Sequence, residues 1–427
     1  MLDIRFIREN PDVIKKDLEK RNDKEKLSWV DDLLKKDEEY KGLLQKNQDL
    51  RHSRNTITQE INKLRKEGKD FSSKVKEAKE LPGKIKEIEE RIKKLQEKLN
   101  YYLMRLPNIL DKSVPFGEDE KGNKVVREWG DKKKPDFELQ PHGELIENLG
   151  VADFEQAAKV SGKGFYYLIG DLALMEQALQ RFAIDFLTKK SYKLVEPPLM
   201  LRRKPYEGVT DLGDFETMMY KVEGENEDLF LIATSEHPIG ALMMNKVLDE
   251  KEMPLRYCGV SSCFRKEIGS HGIDERGLFR VHQFNKVEQF VFCKPEDSWK
   301  FHEELIDNAE KLFQKLKLPY RIVNICTGDI GIVAAKKYDL EAWMPRENEY
   351  KEVVSCSNCT SYQAVRLNIK YRKGADKEYI HTLNSTAIAT GRALRAIIEN
   401  YQQKDGSIKV PTVLQPYMQG IKVIKKS

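Results

Sequence analysis

A heptad seam near the N-terminus constrains this chain more than any other feature. From Lys26 to Glu67 nearly every residue is a helix former. Trp29, Leu33, Tyr40, Leu43, Leu50, Ile57, Ile61 and Leu64 fall at alternating spacings of three and four. That spacing lays one stripe of a helix against a partner helix. Lys36, Asn47 and Arg54 also occupy seam positions, so the stripe is not dry throughout. Gly68-Lys69-Asp70-Phe71-Ser72 breaks the pattern, with Ser72 or Ser73 available as a cap. The repeat resumes at Ala78, Leu81, Ile85, Ile88, Ile92, Leu95, Leu99, Tyr102 and Leu106, and Pro82 either kinks this second helix or marks its start. The pattern predicts an antiparallel coiled-coil hairpin, each helix on the order of 30 residues and roughly 45 Å long. Such an arm encloses no small-molecule pocket. Its outer faces carry Lys35, Lys63, Arg65, Lys66, Lys86, Arg91, Lys93, Lys94 and Lys98 among interleaved Glu. The plain reading is a solvated surface; the functional one is a grip on something large.

Residues before the arm predict a short strand or turn, then a helix announced by Asn10-Pro11-Asp12. After it, Leu106-Pro107-Asn108 closes the arm, placing a helical domain at 1–110. Residues 111–141 are polar and rich in Gly, Pro and Lys and predict a linker. From 142 to 427 helix and strand signals mix without regular alternation. Helices are expected at 172–190, 238–250, 298–317 and 387–402, and strands at 192–200, 230–234, 320–326, 350–355 and 379–383. This predicts an α+β domain built on an antiparallel sheet flanked by helices.

Composition narrows the rest. Lys and Arg number 75 and Asp and Glu 70, a balance of +5 that permits a nucleic-acid partner without demanding one. No apolar run is long enough to span a bilayer. All six Cys (258, 263, 293, 326, 356 and 359) lie in the second half. With no secretory N-terminal segment, they predict reduced thiols and a cytoplasmic protein. Cys356-x-x-Cys359 is a single pair with no His at ligand spacing, so no zinc is expected.

The stretch Ser261–Phe292 reads as strand, long loop, strand. Phe264-Arg265-Lys266-Glu267 ends the first arm, and Gly269, Ser270, His271, Gly272, Asp274 and Gly277 punctuate the loop. The return runs from Phe279 to Phe292. Alternation would put Arg280, His282, Phe284, Lys286 and Glu288 near one face and Val281, Gln283 and Val287 on the other. The bland reading is a solvated hairpin with ion pairs. The chemical reading is a site for a phosphorylated nucleotide and an amine. Three further spots supply polar groups: Thr234 with Glu236, Glu352 with Ser355, and Asn384, Thr386 and Arg392. Each alone has an ordinary explanation at a strand end or on a helix surface. As a set they meet the needs of a triphosphate (Arg forks, hard oxygen ligands for a metal), an adenine (a plate such as Phe284) and an amino acid (carboxylates for its ammonium, a cation for its carboxylate).

These residues carry a family resemblance. Phe264–Glu267 with Arg280–Phe284 resembles motif 2 of the class II aminoacyl-tRNA synthetases, and Thr390-Gly391-Arg392-Ala393-Leu394 resembles their motif 3. Within that class, Thr234-Ser235-Glu236, Lys286-Val287-Glu288, Leu383–Ala387, Asp405–Pro411, Gln415–Met418 and the N-terminal arm are similar to the seryl-tRNA synthetase family. The likeness covers essentially the whole chain. It implies a ligase that activates L-serine with ATP and Mg²⁺ and charges tRNA(Ser), and tRNA(Sec) where that exists, releasing AMP and diphosphate. It implies a homodimer formed through motif 1, around Phe182–Pro198. By resemblance, Thr234, Ser235, Glu236, Glu288, Asn384 and Thr386 would hold serine. Arg265 would bridge the serine carboxylate and the α-phosphate, and Arg392 would meet the γ-phosphate; these two are the catalytic pair. Glu267 and Val281, by its backbone, would hold the adenine on Phe284, and Lys266 would also bind the ATP. Glu352, Val353, Val354 and Ser355 would flank the nucleotide, with Mg²⁺ on Glu352 and Ser355.

Two other readings stand beside this one: a synthetase-like enzyme loading a carrier protein, and an RNA-binding or scaffolding coiled-coil protein with an inactive catalytic domain. The arm weighs against the first, and intact Arg265, Glu288 and Arg392 against the second.

Overall fold

The computed structural model describes residues 1–132, 135–225, 227–267 and 276–426. The chain divides into two compact units, Leu2–Leu106 and Met1 with Pro107–Ser427.

The first unit is dominated by α1 (Lys24–Lys66) and α2 (Ser72–Leu103), of 43 and 32 residues, hence roughly 65 and 48 Å long. Trp29 packs on Tyr102 with ring centroids 5.2 Å apart, Glu39 pairs with Arg91 at 2.9 Å, and Glu60 with Lys74 at 3.0 Å. Partners descend along α2 as they ascend along α1, so the hairpin is antiparallel. Leu33, Leu43, Ile57, Leu81, Ile85, Ile88 and Leu99 are buried, as the heptads require. Pro82 lies inside α2, which starts at Ser72. Lacking an N–H, it leaves the Ala78 carbonyl without its helical donor. Neither Ser72 nor Ser73 caps that helix. The Asp70 carboxylate instead accepts from the Ser72 amide at 2.9 Å and hydroxyl at 2.6 Å. Residues 1–21 form two helices, Ile4–Glu9 and Pro11–Lys20, and Asp3 caps the first where a strand or turn was one expectation. Arg8 forks onto the buried Asp37 at 2.7 and 2.8 Å, which makes burial of that carboxylate tolerable.

The second unit is built on an eight-stranded sheet. Its strands are β1 (Lys124–Trp129), β2 (Lys193–Val195), β3 (Leu255–Phe264), β4 (Gln283–Cys293), β5 (Tyr320–Asn324), β6 (Lys336–Met344), β7 (Glu349–Asn358) and β8 (His381–Ala389). They lie in the order β1-β5-β6-β7-β8-β4-β3-β2. Every pairing is antiparallel except β2 with β3. Helices α3 (Gly170–Thr188), α4 (Ser298–Lys315) and α5 (Thr390–Tyr401) share one apolar core with this sheet. Leu172, Leu179, Leu305, Phe313, Leu394 and Ile397 from the helices meet Val287, Val291, Val354 and Leu383 from the strands.

Several boundaries move. The stretch 111–141 contains β1, which pairs along β5 at the sheet edge. The strand expected over 192–200 splits at Pro197-Pro198, which offer no ladder donor. Its first part joins β3, and Met200–Arg202 pairs instead with Leu229–Leu231. The helix after Glu236 ends at Leu242 and a short strand, Val247–Asp249, follows. β8 runs on to Ala389, so the last long helix starts at Thr390 rather than Ala387. Pairing with β4, where Val287 faces Ile388 and Lys286 faces Ala389, overrides the helix-forming character of Ala387–Ala389. β6, which the sequence reading did not pick out, fills the gap between β5 and β7.

Candidate active site

Alternation along the strands sets the chemistry. Val287, Leu383 and Val354 enter the helix-covered core, while Glu288, Asn384 and Thr386 line a cavity of about 420 Å³. Two bulges make the spacing work. Across β4 and β8 the register slips by one, so Glu288 faces Thr386 although Val287 faces Ile388. Across β6 and β7, Leu340 faces Val354 and Glu341 faces Glu352, leaving Val353 as the extra residue. Glu352 and Ser355 are three apart and would ordinarily point to opposite faces; the bulge brings both to the cavity.

One end of the cavity holds two carboxylates. Glu288 is 1% exposed, with Lys286 Nζ 2.6 Å from its Oε2 and Thr386 opposite it in the ladder. Burial raises its pKa, against the pull of Lys286 and Arg265. Glu236 Oε1 accepts from Gln363 Nε2 at 2.8 Å and Asn384 Nδ2 at 3.0 Å. Burial and the neighbouring Glu288 push its pKa up to about 7. Thr234 accepts from the Glu236 amide at 3.2 Å, which opens the short helix Glu236–Leu242. His237 also lines the cavity; burial drops its pKa to about 3 and keeps it neutral.

The other end is cationic and aromatic. The Arg265 guanidinium lies 5.3 Å from the Phe284 ring centroid, and its Nε donates to the Ala233 carbonyl at 3.4 Å. It forms no ion pair among the described residues. Arg392, in the first turn of α5, sits 3.2 Å from Glu352 Oε2 and 4.8 Å from the Phe279 ring centroid. Burial favours neutral Glu352, but Arg392, Lys337 and Arg265 outweigh it and hold that carboxyl below its ordinary value. Asp339, opposite Ser355, goes the other way, up to about 7, through burial and the nearby Glu352, against Lys337. Gly391 lines the cavity as well, and a Cβ there would meet the Leu278 carbonyl oxygen at 2.4 Å. Only glycine lets the start of α5 come this close.

Thirteen of the residues singled out from sequence therefore line one cavity: Thr234, Glu236, Arg265, Glu267, Val281, Phe284, Glu288, Glu352, Val353, Ser355, Asn384, Thr386 and Arg392. Three do not. Ser235 is fully buried behind Thr234 and Glu236, Val354 belongs to the core, and Lys266 places its ammonium 6.0 Å from the Tyr220 ring centroid. Arg280 and His282 precede β4 rather than lying within it, so strand alternation does not govern them. Arg280 pairs with Glu267 at 3.3 Å, and His282 Nδ1 is 2.9 Å from the Arg265 carbonyl oxygen. For the same reason Val281 reaches the cavity despite its expected place on the other face. Gly269, Ser270, His271, Gly272 and Asp274 lie outside the described residues. Sequence reasoning missed Gln363, Lys337 and Asp339. Asp339 sits on the strand that was not picked out, and Gln363 on a short helix with no periodic signal. The six Cys are free and buried, and the described residues hold no group of three or more His, Cys, Asp or Glu able to bind a metal.

A family model described as the tRNA synthetase class II core domain (G, H, P, S and T) matches residues 220–401, and one described as the seryl-tRNA synthetase N-terminal domain matches residues 1–110. The fold is that of a class II aminoacyl-tRNA synthetase. A serine--tRNA ligase of Methanocella arvoryzae is 61% identical over 427 residues, covering 99% of this chain and 100% of its own. The crystal structure of seryl-tRNA synthetase from Pyrococcus horikoshii complexed with ATP matches with a TM-score of 0.92 at 49% identity, covering 100% of both chains. That of the cytoplasmic serine-tRNA ligase from Naegleria fowleri in complex with AMP matches with 0.87 at 40%, covering 100% and 99%. The chain belongs to the seryl-tRNA synthetase family of ligases.

Proposed function

We propose that this protein activates L-serine with ATP to seryl-adenylate and diphosphate, then transfers serine to tRNA(Ser), and to tRNA(Sec) where one exists, releasing AMP. The observation that carries this reading is Arg265, a guanidinium with no ion-pair partner among the described residues, set in one cavity between a carboxylate pair and an aromatic plate. A serine carboxylate and an α-phosphate would complete its charge. Glu236 would take the substrate ammonium, and Glu288, Thr386 and Thr234 its hydroxyl, with Asn384 alongside. Phe284 would stack on the adenine, beside Glu267 and the Val281 backbone, and Arg392 would meet the γ-phosphate.

The residues present suit a Mg²⁺ ion that arrives with the nucleotide. Glu352 is held anionic by its cationic neighbours, Ser355 adds a hydroxyl, and no all-protein cage is present among the described residues. Bound there, the ion would neutralise phosphate charge. The protein needs no nucleophile of its own. A serine carboxylate oxygen attacks the α-phosphorus in line and the bond to diphosphate breaks. The terminal ribose hydroxyl of the tRNA then attacks the seryl carbonyl and AMP departs. Arg265 and Arg392 hold the reacting groups and offset charge.

The basic faces of the arm fit a phosphate backbone and a salt-dependent grip on tRNA. A homodimer is supported by exposed Leu194, Leu199 and Met200 around the motif 1 prolines. A cytoplasmic location is in keeping with six unpaired thiols. The test is ATP–diphosphate exchange with a panel of amino acids. Serine should support it; no exchange with serine, or equal exchange with threonine and alanine, overturns the reading.

A further inference from the structure

Behind Glu236 lies a buried polar chain that none of the assigned roles uses. Gln363 is fully buried on the short helix Tyr362–Leu367. Its Nε2 donates to the Val209 carbonyl at 2.9 Å and to Glu236 Oε1 at 2.8 Å. Its Oε1 accepts from the Thr382 hydroxyl at 2.7 Å, and Thr382 is fully buried too. This pattern admits one orientation of the amide. Turned over, Oε1 would face a carbonyl and a carboxylate, two acceptors, while Nε2 would lose both bonds. Asn384 Nδ2 donates to the same Glu236 oxygen at 3.0 Å. Glu236 Oε1 is thus taken by two N–H groups, while Oε2 accepts no hydrogen bond from the described residues and is left to the cavity.

We propose that Gln363, oriented by Thr382, is the positioning residue of the amino-acid pocket: it holds Glu236 so that one carboxylate oxygen stays free for the substrate ammonium. This rests on the amino-acid-activating function proposed above. The geometry has an electrostatic counterpart. Glu236 is faced by Glu288, Lys286 and Arg265 and by the Cys359 thiol. Burial and Glu288 favour its neutral form, and the Gln363 N–H favours the anion that an ammonium needs. Removing that N–H should cost affinity for the amino acid and leave the nucleotide end untouched.

The experiment is diphosphate exchange over pH 6 to 9 with wild type, Gln363→Leu, Gln363→Glu and Thr382→Val. Gln363→Leu keeps the volume and loses both donors. Gln363→Glu keeps an acceptor for Thr382 but sets an oxygen against Glu236. Thr382→Val removes only the hydroxyl that orients the amide. The serine KM should rise about tenfold or more for both Gln363 variants and a few-fold for Thr382→Val, with the ATP KM within about twofold of wild type. In Gln363→Leu the acid limb of kcat/KM for serine should move to higher pH. An unchanged serine KM in all three variants, or equal rises in both KM values with an unmoved acid limb, overturns the positioning role. If wild type exchanges with another amino acid and not with serine, the serine reading fails, and the same KM split for that amino acid still decides Gln363. No exchange by wild type with any amino acid overturns both. Thr382→Val, the mildest change, decides the matter should the Gln363 variants not fold.

Discussion

Lys286 Nζ lies 2.6 Å from Glu288 Oε2, and both side chains are less than a tenth exposed. They are two residues apart on β4 and so share one face. In the proposed reaction Glu288 reads the serine hydroxyl, and Lys286 pulls this buried acid toward its anion, against burial. Lys286→Met should leave an uncompensated buried carboxyl and destabilise the fold by about 3 kcal/mol, and Lys286→Met with Glu288→Gln should recover most of that loss. Urea unfolding of the two variants checks it. Equal stability of Lys286→Met and wild type would mean that Arg265 and Thr386 alone suffice for Glu288.

In the proposed function Glu236 should make amino-acid use pH-dependent. With its pKa at about 7, it is increasingly neutral below that pH and loses its attraction for an ammonium. The kcat/KM for serine should therefore fall below pH 7 while the ATP KM stays level. Stability should run in the opposite sense. A carboxyl whose pKa is higher folded than unfolded favours the fold at low pH and loses that contribution as pH rises through the folded value. Glu236→Gln should thus gain stability relative to wild type at pH 8 and show little gain at pH 5, measured by denaturant midpoints.

Arg265→Ala should lower serine-dependent exchange by roughly 10² to 10³-fold. It should scarcely change the melting temperature, because the guanidinium has no ion pair to lose among the described residues. Arg265→Lys should recover little, since a point charge does not reproduce a fork. Arg392→Ala should reduce exchange as well and raise the Glu352 pKa, because Arg392 is the strongest influence holding that acid down. Steady-state kinetics with thermal melts separate the two effects.

The arm and the catalytic unit should be separable. Residues 35 and 98 lie across the hairpin from one another in the register set by Trp29 with Tyr102 and Glu39 with Arg91. Replacing the intervening residues by a short turn should leave exchange intact and abolish charging of tRNA(Ser). Equal charging by the shortened protein would remove the arm from tRNA binding.

How far the sequence carries differs between the two units. The arm was legible because a coiled coil is written in neighbouring residues: the three-and-four spacing names the seam, and one break names the turn. Even there, the choice of Asp70 over Ser72 or Ser73 at the start of α2 was a matter of local geometry. The antiparallel sheet was legible as a class, but its strand ends were not. Ala387–Ala389 read as helix on propensity, and their pairing with β4 made them strand.

The residue types of the site, its arginines, carboxylates and aromatic plate, were determined by the sequence itself, because the chemistry of a nucleotide and an amino acid demands those groups. Their convergence was decided only by the tertiary structure. A side chain's face depends on strand register, and a one-residue slip reverses it. The slip at Val353 puts Glu352 and Ser355 in one cavity and sends Val354 into the core, and the one between β4 and β8 sets Glu288 against Thr386. Gln363 meets Glu236 from 127 residues away, and buried Thr382, 19 residues beyond Gln363, bonds the amide that does so. No local pattern records such a contact, because a buried amide is placed by what surrounds it in space and not by its neighbours in the chain.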